Sequence, residues 1–180
     1  MTTSELEKLV AENFASPSYS LLYEVRDGTG YQTAGRQCDM MAFGTWPSRG
    51  LEIIGFEFKT SRSDWIRELK TPAKAEAFFK YCDRWYLAAP EGVVVKAELP
   101  VGWGLIEAKT NKEGSWKLKF TVPCEPKKAE TIDRLFLMSI IRNISKNYVP
   151  QNRVRELADM TVKIAVETAI ENTKYENQRH

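Results

Sequence analysis

Apolar residues recur along the chain with two spacings, one typical of strands and one typical of helices. Short runs that alternate apolar and polar residues, or that are wholly apolar, are bounded by residues common in turns, and such runs predict β-strands. The predicted strands cover residues 19–26, 37–43, 51–60, 84–89, 103–108 and 115–122. The pattern therefore predicts a β-rich stretch between residues 19 and 122.

A first helix is predicted at residues 4–13, before the first strand. Ser4 is a suitable N-cap, and Glu7 follows three residues later as in a capping box. The apolar residues of this segment recur every three or four positions and would form one buried stripe. They are Leu6, Leu9, Val10 and Phe14.

The order of the central elements predicts an α/β fold. Three successive strands imply an antiparallel meander. A helical stretch capped by Ser63 or Asp64 follows them, and Pro72 should divide it into two pieces. The apolar run at residues 84–89 is typical of a buried strand reached by a crossover connection, and the last two strands form a hairpin. We therefore expect a mixed central sheet flanked by helices.

Helical spacing returns in the last third of the chain, where Pro150 separates two predicted helices. No internal repeat and no low-complexity linker sets this segment apart. We expect residues 1–125 to form the core and residues 126–180 to form a helical extension packed on it, within one domain.

The composition restricts the chemistry that the chain can perform. Its single histidine is His180, which argues against Ser/His/Asp hydrolases, HExxH zinc peptidases and histidine-metal nucleases. The chain contains no GxxxxGK[ST] and no GxGxxG segment, so no nucleotide-binding loop is predicted. If the chain is an enzyme, carboxylates and lysines must carry the reaction.

Cysteine usage and hydropathy bear on the cellular compartment. Cys38, Cys82 and Cys124 are scattered and form no CxxC pair, which is typical of reduced structural thiols. No apolar run approaches the roughly 20 residues that cross a bilayer. A net charge of +2 neither demands nor excludes a polyanionic partner. We expect a cytoplasmic protein with no membrane anchor.

The segment Gly55–Lys59 carries the candidate chemistry. Side chains alternate along a strand, so Glu57 and Lys59 project from one face. Asp39 lies 18 residues before Glu57 on the preceding strand, and antiparallel pairing would place these two acids side by side. Two such carboxylates suit Mg²⁺ or Mn²⁺, with the Phe58 carbonyl as a further ligand. Lys59 would orient or deprotonate the attacking water, or stabilise charge on the phosphorane.

Glu and Lys two residues apart on a strand are a weak signal when taken alone. Such pairs are common cross-strand partners on exposed sheet faces. The ordered pattern is more informative, because a strand bearing Asp39, a turn, the strand bearing Glu57 and Lys59, an amphipathic helix and an apolar strand follow one another.

This order and spacing resemble the core of the PD-(D/E)XK nuclease superfamily, and within it the MmcB-like DNA repair family. The resemblance extends over roughly residues 23–108 and depends on the segments Arg36–Asp39, Glu57–Trp65 and Lys80–Tyr86. It implies a restriction-endonuclease-like core, with Asp39 and Glu57 as metal ligands and Lys59 as the catalytic lysine. Cys38 stands where the superfamily name has proline.

The resemblance leaves the auxiliary acid open. The first helix often contributes one acid in this superfamily, and here Glu5, Glu7 and Glu12 are all candidates, with Glu7 taken as the representative. Glu24 on the first predicted strand is another candidate. A cross-strand partner for an arginine is the better explanation of this residue.

Several basic and hydroxyl side chains are candidates for nucleic-acid contacts. Arg62 could bind a phosphate, whereas Asp64 is better explained as a helix cap. The alternative for the helical lysines and arginines is a solvated face paired with Glu68 and Glu76. Tyr81 and Trp85 could stack on bases, although packing in the core is the better explanation. The candidates are Arg36, Ser61, Arg62, Arg67, Lys70, Lys74 and Lys80.

The sequence predicts a divalent-metal-dependent DNA nuclease that hydrolyses phosphodiester bonds in repair, recombination or mobile-element DNA. The alternative is a catalytically silent module of the same fold that binds nucleic acid or another partner. A third reading is a structural α/β protein in which Glu57 and Lys59 merely pair. The apolar stripes of the C-terminal helices slightly favour a homodimer.

Overall fold

The computed structural model of this chain describes residues 1–14, 16–29, 36–70, 73–148 and 151–177. It contains two compact units, Met1–Asn143 and Ile144–His180. The first unit contains the sheet and the candidate site. The predicted boundary at residue 125 falls inside the first unit, and the packing of residues 144–180 on the core stays a prediction.

The first unit is built on a six-stranded mixed sheet in which strand order follows the sequence. The pairs β1–β2, β2–β3 and β5–β6 are antiparallel, whereas β3–β4 and β4–β5 are parallel. The predicted meander, crossover and terminal hairpin are confirmed. The strands are β1 (Tyr19–Arg26), β2 (Gln37–Gly44), β3 (Ile53–Phe58), β4 (Arg84–Pro90), β5 (Trp103–Thr110) and β6 (Trp116–Val122).

Helices of the first unit flank this sheet, so the α/β class is confirmed. The α-helices are α1 (Thr3–Ala11), α2 (Arg62–Leu69), α3 (Ala73–Phe79), α4 (Arg134–Asn147) and α5 (Gln151–Asn177). The helical stretch after β3 is divided into α2 and α3, as Pro72 predicts, although residues 71 and 72 lie outside the described part of the chain.

The two faces of the sheet bury different helices. On one face, Leu6 and Val10 of α1 pack against Phe56 and its strand neighbours. On the other face, Trp65 of α2 packs against Leu87 and Leu105. The second face also receives apolar side chains from α3 and from the start of α4, namely Ala75, Phe78, Phe136 and Ile140.

Two predicted helix caps are corrected by the structure. Thr2 caps α1 and forms a capping box with Glu5, so Ser4 and Glu7 do not have these roles. Ser61 caps α2, and its hydroxyl accepts the Asp64 N–H. In both places several capping residues stand within three positions of each other, and hydroxyl or carboxylate identity alone does not choose among them.

The alternation of side chains between the two faces of β1 is interrupted at Glu24. The backbone of Glu24 is left-handed, with φ of 51°, which is uncommon for a residue other than glycine. Leu22 and Val25 contribute to the same core cluster, although regular alternation would place them on opposite faces. The irregular residue Glu24 therefore lies where β1 runs beside the part of β2 that carries Asp39.

The three cysteines are free thiols buried in the first unit, at positions 38, 82 and 124. Burial raises the pKa of the Cys38 and Cys82 thiols, which is typical of inert structural cysteines. None of the described helices is long and apolar enough to cross a membrane.

Candidate metal centre

Asp39 lies where β2 and β3 separate. The last paired residues of these strands are Met40 and Phe56, so Asp39 is one step further, beside Glu57. The Phe58 N–H donates a hydrogen bond of 2.8 Å to Asp39 Oδ2. The Asp39 side chain thus takes the place of the next backbone acceptor in the ladder and is held against β3.

Lys59 lies between two carboxylates from different elements. Its ammonium donates to Glu57 Oε1 on β3 in a short contact, and it lies 3.3 Å from Glu68 Oε2 on α2. All three side chains are largely buried, with exposed fractions of 11–13%. The structure therefore brings Asp39, Glu57 and Lys59 together and adds Glu68.

From the sequence, Glu68 is expected only as a partner for basic residues on the solvated face of the helices. It follows the fully buried Trp65 by three positions and precedes the half-buried Leu69. Residues three apart on a helix share a face. This spacing places Glu68 on the side of α2 that packs on the sheet. The spacing is visible in the sequence and indicates that Glu68 is buried.

The electrostatics of the site arise from crowded, buried carboxylates. Burial, and then the charge of Asp39, raise the pKa of Glu57 to about 7, although Lys59 opposes the shift. The pKa of Asp39 is also raised, mainly by burial, against the opposing effect of the Phe58 N–H. Burial acts to lower the pKa of Lys59, but the surrounding carboxylates outweigh it and raise that pKa. The lysine is therefore held as a cation.

The two predicted auxiliary acids interact electrostatically with this cluster through Asp39. Burial raises the pKa of Glu7, and the charges of Asp39 and Glu24 add to the shift. Among the acids of the first helix, Glu5 is occupied by the capping box, whereas Glu12 lines a groove with Arg84 at the opposite end of the sheet. The structure thus brings Glu7 and Glu24 towards Asp39.

The oxygen donors of this cluster fit a divalent cation. Asp39, Glu57 and Glu68 carry three negative charges when ionised, and Lys59 supplies one positive charge, which leaves two negative charges uncompensated. Hard carboxylate oxygens with an excess of two negative charges suit Mg²⁺ or Mn²⁺, which also retain water ligands. Among the described residues no group of three or more His, Cys, Asp or Glu side chains is preformed as a metal cage. The residues present therefore suit a cation held by the carboxylates of Asp39 and Glu57, the Phe58 carbonyl and water.

The predicted nucleic-acid residues have different surroundings. The Arg62 guanidinium donates two 2.5 Å hydrogen bonds to the Glu98 carboxylate, so both of its terminal nitrogens are already paired. Arg67 pairs with Asp64 on the same helix. Ser61 is used as the cap of α2. These contacts stabilise α2 and leave fewer groups than predicted for phosphate.

Three predicted lysines and Arg36 complete this set. Lys70 is exposed at the C-terminal end of α2, and the side chain of Lys74 lies outside the described residues. Lys80 lies 4.5 Å above the Tyr81 ring, before β4 begins and so at the end of the sheet opposite Lys59. Arg36 immediately precedes β2, at the same end of the sheet as Asp39.

The two aromatic residues considered for base stacking belong to the core. Tyr81 is 4% exposed and Trp85 is fully buried. Tyr81 stacks on Phe136, with ring centroids 4.6 Å apart. Packing, the favoured explanation, is confirmed for both.

Comparisons with known proteins give one solved structure and no family. No protein-family model and no curated protein matches the chain. A solved structure of a Silicibacter pomeroyi protein of unknown function is similar in fold, with a TM-score of 0.55 and 21% identity. The match covers 89% of this chain and 94% of that chain. The similarity extends over nearly the whole of both chains and supports the α/β architecture.

Proposed function

We propose that the chain is a divalent-metal-dependent DNA nuclease with a restriction-endonuclease-like core of the PD-(D/E)XK type. One observation carries this proposal: Asp39 and Glu57 lie side by side where two paired strands separate, and Lys59 contacts Glu57. Folding alone does not require a sheet to bury two acids and a lysine in one place, because each buried charge costs desolvation free energy.

Asp39, Glu57 and the Phe58 carbonyl would hold the metal ion. A bound Mg²⁺ or Mn²⁺ would lower the pKa of a water ligand and polarise a phosphate oxygen. The Phe58 N–H keeps the Asp39 carboxylate fixed, so one ligand is oriented before any cation arrives. Glu7 and Glu24 would add negative charge beside Asp39 without direct ligation.

Lys59 would stabilise the negative charge that develops on the phosphorane. The sequence left open whether it acts as a base or as a cation. Its raised pKa, caused by the neighbouring carboxylates, favours the cation at neutral pH. Burial strengthens the interaction of a fixed ammonium with phosphate charge.

The same arrangement supports DNA as the substrate through the resemblance and through Arg36. Arg36 lies at the site end of the sheet and is the predicted phosphate contact nearest in sequence to Asp39. We place the activity in repair, recombination or mobile-element DNA processing in the cytoplasm, with a homodimer as the working assembly.

The function is tested by a cleavage screen with Mg²⁺ or Mn²⁺ over single-stranded, duplex and branched DNA and over RNA. Wild type should cleave at least one DNA substrate, and chelation of the metal should stop it. Lys59→Ala should slow cleavage by about 10²–10³-fold, the cost of removing one stabilising group at a developing charge. Lys117→Ala, an exposed lysine on β6, is the matched control and should cleave as wild type does.

Two results would contradict the nuclease. Equal cleavage by wild type and Lys59→Ala would assign the activity to a contaminant. DNA binding without metal-dependent cleavage of any substrate would favour the silent binding module instead.

A further inference from the structure

Lys59 is shared between two acids on different elements. Glu57 belongs to β3 and is a proposed metal ligand, whereas Glu68 belongs to α2. The backbone of Lys59 is fixed, since its N–H donates a 3.0 Å hydrogen bond to the Ala88 carbonyl of β4. Only its side chain is therefore free to move between the two carboxylates.

A divalent cation and the Lys59 ammonium compete for the same carboxylate. Both are positive, and both would take negative charge from Glu57 at contact distance. The repulsion between two positive charges in a largely buried site is stronger than in water. Lys59 must therefore loosen its contact with Glu57 when a cation binds there.

Glu68 is the partner that remains for Lys59. It lies 3.3 Å from the ammonium while Glu57 is still in contact, so only a small movement is needed. α2 itself is fixed by the fully buried Trp65, whose indole N–H donates to Glu98, and by the Ser61 cap. Glu68 thus presents a carboxylate at a constant position.

We propose that Glu68 is a positioning residue that receives the Lys59 ammonium when a divalent cation occupies Glu57. This inference rests on the proposed function, because it assumes a cation at Asp39 and Glu57. Glu68 acts through Lys59 and does not bind the cation. It keeps the lysine in the site beside the scissile phosphate and removes the competitor from the metal ligand.

Loss of Glu68 therefore has a specific consequence for metal binding. Without this second partner, Lys59 stays on Glu57 and opposes the cation. Glu68→Gln, which keeps the shape of the side chain and removes its charge, should weaken Mn²⁺ binding roughly tenfold. Lys59→Ala should strengthen Mn²⁺ binding, because the competing ammonium is absent.

The test is a double-mutant cycle measured by calorimetry with Mn²⁺ on the full chain, without substrate. The proteins are wild type, Glu68→Gln, Lys59→Ala and the double variant. Glu76→Gln is the matched control: it removes an acid that lines the same cleft as Glu68, whereas the ion pairs of Lys59 are with Glu57 and Glu68.

In the wild-type background, Glu68→Gln should weaken Mn²⁺ binding. In the Lys59→Ala background, Glu68→Gln should weaken Mn²⁺ binding by no more than the control Glu76→Gln does. An equal loss in both backgrounds would overturn the inference alone, since Glu68 would then be a ligand or a general source of charge. No Mn²⁺ binding by folded wild type would overturn the metal site and this inference together. If Glu68→Gln does not fold, Glu68→Ala is used in the same cycle with the same expectation.

Discussion

Glu57 is an acid whose charge depends on its neighbours. It is buried beside Asp39, and its pKa is raised to about 7 although Lys59 touches it. In the unfolded chain the same group has its ordinary pKa of 4.5. Between these values the folded protein holds a proton that the unfolded chain has lost.

This difference predicts how stability depends on pH without metal. The unfolded state binds fewer protons in this window, so the contribution of Glu57 to the free energy of unfolding falls as pH rises from about 4.5 to about 7. Metal binding requires the carboxylate, so Mn²⁺ affinity should rise as pH approaches the folded pKa of about 7 and level off above it. It should be roughly tenfold weaker at pH 6 than at pH 8. Thermal melting with and without Mn²⁺ at the two pH values measures both effects.

The control for this pH dependence is Glu57→Gln, which has no carboxylate to titrate at that position. It should lose most of the response of the melting temperature to Mn²⁺ at either pH. An equal stabilisation of wild type by Mn²⁺ at pH 6 and pH 8 would contradict the raised pKa of Glu57.

At the residue scale, the sequence predicted the members of the site that follow from strand alternation and pairing. Glu57 lies on β3, and Lys59 directly follows the end of that strand, although the prediction had extended the strand to residue 60. Asp39 lies on the neighbouring strand β2, so the local rules of alternation and pairing were sufficient.

Glu68 was not predicted as part of the site because its spacing from Trp65 indicates only that it lies on the buried face of α2. Its contact with Lys59 depends on how α2 packs beside β3. The ion pair between Arg62 and Glu98 was not predicted because the two residues are 36 positions apart in the sequence.

At the element scale, β3 depends on a residue with no side chain. A Cβ added to Gly55 would overlap the ring of Trp85 on the adjacent strand β4. Trp85 is fully buried and also contacts Trp103, so it has little room to shift. Gly55 thus permits close packing over the strand that carries Glu57 two residues later.

Gly55→Ala should therefore destabilise the protein by about 1–3 kcal/mol, the usual cost of forcing extra atoms into a packed core. Chemical denaturation measures the change. Ser20→Ala at an exposed position of β1 is the control and should change stability by less than about 0.5 kcal/mol. A Gly55→Ala protein as stable as wild type would show that Trp85 can move.

The elements were predicted more accurately in their order than in their ends. β1 agrees with its prediction at both ends, whereas β3 begins at Ile53 although the apolar run begins at Leu51. Leu51 has a left-handed φ of 52°, which a regular strand does not accommodate. The pattern of apolar residues does not carry information about that backbone turn.

At the scale of the whole molecule, DNA binding and cleavage should depend on different groups. Lys59→Ala should still bind DNA, because the lysine acts mainly in the transition state. Binding should weaken with rising salt, since phosphate neutralisation releases counterions. Arg36→Ala should reduce the slope of log affinity against log salt by about one, as expected for one lost phosphate contact.

A mobility-shift series at several salt concentrations tests this separation, with Lys117→Ala as the control for an unrelated surface charge. Salt-independent binding, or no binding to any nucleic acid, would count against a nuclease.

Exposed apolar side chains in the second compact unit, Ile144–His180, lead us to expect self-association. Its described apolar side chains are more than half exposed at four positions of α5, namely Met160, Val162, Ile164 and Val166. Exposed apolar helix faces commonly bury against a second copy. Light scattering should therefore give a molar mass about twice the 20.6 kDa of one chain, and Ile164→Asp should restore a monomer. A mass of one chain across a broad concentration range would exclude the dimer.

The metal centre itself is tested most directly by a crystal structure of the protein with Mn²⁺, using anomalous scattering to locate the ion. The predicted result is one anomalous peak within about 2.5 Å of carboxylate oxygens of both Asp39 and Glu57 and of the Phe58 carbonyl, with the Lys59 ammonium turned towards Glu68. Asp39→Ala should remain folded and lose this peak. A Mn²⁺-soaked crystal with no peak beside Asp39, and with Lys59 still on Glu57, would contradict the metal site and the nuclease built on it.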